Sequence, residues 1–190
     1  MQARIMQRTK TGKSCGGQTR GRRNSEAKHF PALLRQWQNN GEVISDDLHR
    51  NIDPGKNGGL AILQGEEVQT FRYDRDTYRC VLSDMRGEKA VCCLEHVGVM
   101  PKNGSVSMFH FGENFGWLQG TLEAFGIPYE LVKPQKWKKE FSVTADKNTS
   151  IEVCKRLFPG VNLIPPGCRK EHDGMGEALL MALYAKRRLG

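Results

Sequence analysis

Apolar residues follow no period before position 25, and then fall into helical and strand-like patterns in turn. Phe30, Leu33, Leu34 and Trp37 have helical spacing, which predicts a short helix between Ser25 and Asn40, closed by Asn39-Asn40-Gly41. A strand ends at Asn51-Ile52-Asp53. The turn residues Pro54-Gly55 and Asn57-Gly58-Gly59 follow, and Leu60-Ala61-Ile62-Leu63 resumes as a buried strand, so Ile52–Leu63 reads as a hairpin. Val68–Tyr73 alternates as a third strand. Tyr78, Val81, Leu82 and Met85 mark a helix over Asp76–Arg86. Ala90-Val91-Cys92-Cys93-Leu94 is continuously apolar, the pattern of a strand buried on both faces, and it ends in Glu95-His96. A Gly/Asn/Ser-rich loop over Val97–Met108 leads to a helix over Phe115–Phe125, stopped by Gly126. Ile127–Val132 is a further strand, Lys133–Phe141 is basic with one central Trp, and Asp146–Phe158 and Glu171–Arg188 are helices. The order β-β-β-α-β-α-β-α-α predicts an α/β domain over residues 47–190, with a mixed sheet flanked by helices.

Charge changes this picture at the N-terminus. Met1–Ser25 holds Arg4, Arg8, Lys10, Lys13, Arg20, Arg22 and Arg23 and no acid, so residues 1–46 read as a basic, disordered extension carrying the short helix. Thr11-Gly12-Lys13-Ser14 imitates the end of a phosphate-binding loop, but Gln7 stands where its first glycine belongs and no strand precedes it. The whole chain carries a formal net charge of +8, which favours an anionic partner, nucleic acid foremost. No apolar run approaches the roughly 18–20 residues that span a bilayer, so no membrane partner is expected. The six cysteines form no Cys-x-x-Cys pair, and reduced thiols in an intracellular compartment are expected.

The acids then gain meaning from the predicted topology. Asp53 and Glu95 each sit where a strand leaves the core, and the two strands can be neighbours. Asp173 and Glu177 are four residues apart, so they share one helical face with Cβ atoms roughly 5–6 Å apart. Each acid also has an ordinary reading: a turn residue for Asp53, a helix-start charge for Asp173, a solvated face for Glu177. Four converging carboxylates repel one another, and a hard divalent cation such as Mg²⁺ removes that cost. Two such ions can activate a water and stabilise the leaving oxygen in phosphodiester cleavage.

Three stretches resemble the acidic motifs of RuvC-type Holliday junction resolvases, of the RNase H-like superfamily: Ile52-Asp53-Pro54-Gly55, Cys93-Leu94-Glu95, and His172-Asp173-Gly174-Met175-Gly176-Glu177-Ala178-Leu179-Leu180. Pro101-Lys102-Asn103-Gly104, Phe111-Gly112 and Pro134-Gln135-Lys136-Trp137-Lys138-Lys139 match as well, most closely the phage and plant-organelle branch. The similarity covers about Asn51 to Tyr184. The resemblance implies an RNase H-like fold with a mixed five-stranded sheet. It also implies a homodimer that resolves four-way DNA junctions by paired nicks, with Asp53, Glu95, Asp173 and Glu177 as catalytic ligands of Mg²⁺, for which Mn²⁺ would substitute. It places the chain in a phage-infected or bacterial cytoplasm, or in a plant organelle. The chain departs from the family where Met175 stands for a common Arg, and where His96-Val97-Gly98 replaces an aromatic after the second acid.

Contacts to DNA are expected from Lys56 in the hairpin turn, Lys102, the cluster Lys133, Lys136, Lys138 and Lys139, and Arg169-Lys170 ahead of the last acidic motif. Phe109 and Phe111 are candidate wedges against bases. Trp137 reads as a core anchor rather than a stacking platform, and His172 either positions a water or caps the helix. The alternative function is a junction-DNA-binding protein without catalysis.

Overall fold

The computed structural model describes residues 48–188, apart from 66, 89, 97 and 99–103. The described residues belong to the second of two compact units, Gly41–Gly190. The basic extension, its expected helix, and Lys102 lie outside the described residues.

β1 (Leu48–Ile52) is the central strand. β2 (Gly59–Gln64) pairs antiparallel with it and β3 (Glu67–Arg72) antiparallel with β2. On the other side β4 (Ala90–Glu95) runs parallel to β1, and β5 (Tyr129–Val132) parallel to β4. The result is a mixed five-stranded sheet in the order β3-β2-β1-β4-β5. Among the described residues five helices complete it: α1 (Arg75–Asp84), α2 (Ser105–Ala124), α3 (Pro134–Glu140), α4 (Lys147–Leu157) and α5 (Asp173–Arg188).

Strand alternation sends side chains to two faces. Ala61, Leu63, Cys93 and Val132 form one core with Trp137 of α3, Cys154 of α4, and Met175, Ala178, Leu179, Met181 and Ala182 of α5. The alternate set, Ile52, Leu60, Ile62, Cys92 and Leu94, is just as buried and faces the other way. α1 and α2 supply the buried Tyr78, Val81, Leu82, Leu118 and Leu122 on that side. These two helices are joined by Arg75 lying over the Trp117 ring and Arg86 over Phe125.

Two elements differ from the sequence expectation. α2 begins at Ser105, so Phe109 and Phe111 lie on its first half and not in a loop. Gly112, Gly116 and Gly120 hide that helix, since each is about 1 kcal/mol less favourable than Ala in a helix interior. Its N-terminal half also buries no side chain that would print a helical period. Lys133–Phe141 contains a helix, α3, with Pro134 at its first turn, where the missing N–H has no partner to lose.

Candidate metal and nucleic-acid site

The site is built at one end of the sheet. In the β1–β4 register Ile52 stands opposite Leu94, so Asp53 and Glu95 occupy the next adjacent positions, where both strands leave the core. The hairpin is closed by Asp53 N–H donating to the Gly59 carbonyl (2.9 Å) and Gly58 N–H to the Gly55 carbonyl (2.8 Å). Gly55 N–H donates to Asp53 Oδ1 at 2.8 Å and fixes one carboxylate oxygen.

The start of α5 lies directly on this hairpin, backbone to backbone. A Cβ on Gly174 would fall on the Asn57 carbonyl oxygen, and one on Gly59 would fall on the Gly174 carbonyl and 2.9 Å from Met175 Cα. A Cβ on Gly58 would strike the Asp53 carbonyl. These glycines therefore serve close backbone approach. Only Gly55, whose added Cβ would lie 3.1 Å from Asp53 Oδ1, borders the carboxylate itself. His172 accepts the Met175 N–H through Nδ1 (3.3 Å), so its ring caps α5. The interlock brings Asp173 and Glu177 to the strand acids.

The electrostatics record that convergence. Burial pushes Asp53 up to about 6, aided by the charges of Glu177 and Asp173 and opposed by the Gly55 hydrogen bond and Lys138. Glu95, 6% exposed, is pushed up to about 8 by burial and by the charges of Asp53 and Glu177, although Trp137 Nε1–H donates to its Oε1 at 3.0 Å. The two helix acids are in a different state. Lys138 Nζ pairs with Glu177 Oε1 at 2.8 Å and Lys147 Nζ with Asp173 Oδ2 at 2.8 Å. Partial burial favours the neutral form of Asp173, but the Lys147 hydrogen bond and charge outweigh it and hold the carboxyl below its ordinary value.

The oxygen chemistry of these carboxylates suits a divalent cation with oxygen preference, and two of them, Glu177 and Asp173, already attract ammonium groups. Among the described residues no three acidic, His or Cys side chains stand together as a ready ion cage. The α5 acids are instead engaged by lysines, each through one of its two carboxylate oxygens.

Among the expected DNA contacts, Lys56, Lys133, Lys136, Lys139, Arg169 and Lys170 are exposed. Lys138 is half-buried on Glu177, with its Nζ 5.1 Å from the Trp137 ring centre. Phe109 is 71% exposed on α2, whereas Phe111 is half-buried and stacked on Phe115 with ring centres 6.5 Å apart, so Phe111 is not a free wedge. Sequence reasoning missed Lys147 and the Trp137 hydrogen bond to Glu95. The signal for Lys147 was available: Asp146 caps α4 through the Asn148 N–H and so sets Lys147 at the first helical position.

No family model matches the chain, and no curated protein matches it. Two solved structures are similar to it at low identity. T. thermophilus RuvC in complex with a Holliday junction substrate is 13% identical with a TM-score of 0.49, covering 75% of this chain and 96% of that one. A Thermus thermophilus RuvC structure is 15% identical with a TM-score of 0.48, covering 74% and 96%.

Proposed function

We propose that this chain is a metal-dependent, structure-selective endonuclease of RNase H-like, RuvC-type architecture that resolves four-way DNA junctions. The observation that carries the reading is the convergence of Asp53, Glu95, Asp173 and Glu177, drawn from two strand ends and one helix, at one end of the sheet. Carboxylates that raise one another while buried are costly unless a cation joins them. Mg²⁺, or Mn²⁺ in its place, supplies when bound a charge that lowers the pKa of water and steadies the leaving oxygen.

The chain's own groups do the rest. Asp53 is held by Gly55 N–H and Glu95 by Trp137 Nε1–H, which fixes the orientation of both ligands. Lys138 and Lys147, released from Glu177 and Asp173, are placed to neutralise the phosphates beside the cut. Lys56 and Arg169-Lys170 extend that cationic rim, with the exposed Lys133, Lys136 and Lys139 along the DNA backbone. Phe109, exposed on α2 with its ring against that of His110, is the candidate to press against bases. A twofold homodimer suits a junction of approximate twofold symmetry and would pair the two nicks. The sequence motifs favour the phage and plant-organelle branch, and with it a phage-infected or bacterial cytoplasm or an organelle.

The test is cleavage of an end-labelled four-way junction and of linear duplexes with the same arm sequences, in Mg²⁺, Mn²⁺ or EDTA. Paired, symmetry-related nicks in the junction alone, lost in EDTA, are the expected result. Equal cutting of linear duplex would remove the structure selectivity. Tight junction binding with no cutting in either metal would leave the non-catalytic binding protein as the function.

A further inference from the structure

The corner between β3 and α1 is bonded in three directions. β3 ends at Arg72, opposite Gly59 of β2, and Tyr73 carries the ladder one step further by donating its N–H to the Gly58 carbonyl at 3.0 Å. Gly58 belongs to the hairpin turn that starts at Asp53, and a Cβ on it would strike the Asp53 carbonyl. Asp74 then caps α1, its Oδ1 accepting the Thr77 N–H at 2.8 Å, and Arg75 is the first residue of that helix. The corner Tyr73-Asp74-Arg75 is therefore fixed on the hairpin and on α1 at once.

The same corner reaches α2. Tyr73 Oη donates to Asn114 Oδ1 at 2.8 Å, and Arg75 Nη2 donates to the same oxygen at 2.8 Å. Arg75 Nε closes the triangle on Tyr73 Oη at 3.2 Å, and its Nη2 also pairs with Glu113 Oε1 at 3.2 Å. The Tyr73 ring stands edge-on to the buried Tyr78, with ring centres 5.3 Å apart, which sets its tilt. The guanidinium makes these bonds charge-assisted, and one acceptor held by two donors is fixed in direction as well as in distance.

α2 needs such a fastening. Its buried side chains, Leu118 and Leu122, both lie in its second half, whereas Phe109 lies in the first. Gly112 and Gly116 flank Asn114, and a Cβ added to either would meet nothing within 4 Å, so this stretch is weak in helix propensity and open on that face. Phe109 precedes Asn114 by five positions, about 7–8 Å along the helix axis, so a tilt at Asn114 displaces its ring. Phe115, the next residue, lies with its ring centre 6.0 Å from that of His96, the neighbour of Glu95. Asn114 and Phe115 thus connect α2 to the segments that carry both strand acids.

We propose that Tyr73 is a positioning residue: through Asn114 it locks α2 to the Asp53 hairpin, and so fixes which phosphodiester lies at the acids when Phe109 meets a base. The choice of phosphodiester rests on the nuclease reading above. The link between α2 and the hairpin does not.

The test uses the full chain and two variants, Asn114→Ala and Tyr73→Phe, read in two ways. The first is amide hydrogen exchange without metal. In Asn114→Ala, a change confined to α2, the amides of Asp53, Gly58 and Tyr73 that close the hairpin should exchange about 3–10-fold faster, the factor that one lost hydrogen bond is worth, with the amides of β5 and α4 unchanged. Hairpin amides that keep the parent's rate, or a rise spread equally over β5 and α4, would overturn the link. The second is mapping of the products of an end-labelled four-way junction in Mg²⁺. The parent should nick a single phosphodiester in each cut strand, and both variants should spread the nicks to neighbouring positions with Mg²⁺ affinity unchanged in calorimetry. Nicks that stay at the parent's position in both variants would overturn the positioning role. A fall in Mg²⁺ affinity would overturn it too, since Tyr73 would then support the cation and not the register of the DNA. If the parent cuts no junction, the nuclease reading fails, and the exchange result alone decides the link.

Discussion

Arg50 and Asp53 stand three residues apart, one within β1 and one just past its end, and the described body neutralises neither. Their surroundings differ. Arg50 is closed off by α1 and α2 and feels one half-buried carboxylate at the chain's entry. Asp53 is half-buried, bordered by the exposed hairpin turn and by three further acids. The first charge is shut away from solvent and has no hydrogen-bond partner. The second can be met from solution, by a cation and by the phosphates that follow it. A buried charge is thus a structural demand at one end of β1 and an invitation to a ligand at the other.

The largest way to break this contrast is to remove the Asp53 charge. Asp53→Asn should reduce junction nicking by more than about 100-fold, since even the groups that merely orient a metal ligand cost 10–100-fold when lost. In EDTA the same variant should unfold at a higher temperature than the parent, because a repelled, buried carboxylate has gone. A lower midpoint in EDTA would mean that Asp53 is already satisfied within the fold.

Next in size is the interlock that brings the helix acids to the strand acids. Gly174→Ala places a methyl on the Asn57 carbonyl and should destabilise by about 1–3 kcal/mol in a urea titration, as overpacking does. Gly120→Ala on α2 meets nothing within 4 Å and should stabilise by up to about 1 kcal/mol. If Gly174→Ala is as mild as Gly120→Ala, the hairpin and α5 need not touch for the acids to converge.

The sequence carried much of this site, for identifiable reasons. Glu95 was visible because it ends an apolar run and Asp53 because it ends a strand at a dense turn signal, and parallel pairing of those strands set them side by side. Asp173 and Glu177 followed from helical spacing. Other features depend on contacts between elements and leave no local period. Nothing local marks Gly174 as the place where the Asn57 carbonyl packs against α5. Lys147 is far in sequence from Asp173, and only the fold pairs the two. The first half of α2, with Phe109 and Phe111, read as a loop because it buries nothing and contains glycine. Arg50 gave no signal, since an Arg in a strand is ordinarily an edge or surface residue.

pH offers a finer test. Asp53 and Glu95 hold their protons more tightly in the folded chain, to about 6 and about 8, than ordinary carboxyls do. From the ordinary carboxylate range up to about pH 8 the folded state therefore binds more protons than the unfolded state, and stability falls as pH rises. The unfolding midpoint in EDTA should drop across that window, and Mg²⁺ should restore more of it at pH 8 than at pH 5. A midpoint that is flat in EDTA would mean that neither burial nor the neighbouring charges raise the strand acids.

The smallest effect separates the helix acids from the strand acids. Asp173 is held below its ordinary value by Lys147, so this pair stabilises the fold above the usual carboxylate range and loses that contribution as pH falls through it, opposite in sign to Asp53 and Glu95. The Lys147 side chain is 71% exposed, so Lys147→Ala should cost less than about 1 kcal/mol at neutral pH. Its effect on Mg²⁺ binding should nonetheless be favourable, because an ammonium that competes for the Asp173 carboxylate has gone. Calorimetric titration should then show tighter Mg²⁺ binding in Lys147→Ala than in the parent, together with slower junction nicking if Lys147 goes on to serve a phosphate. Weaker Mg²⁺ binding in the variant would mean that Lys147 does not compete for the acid and that the lysine belongs to the cation's support.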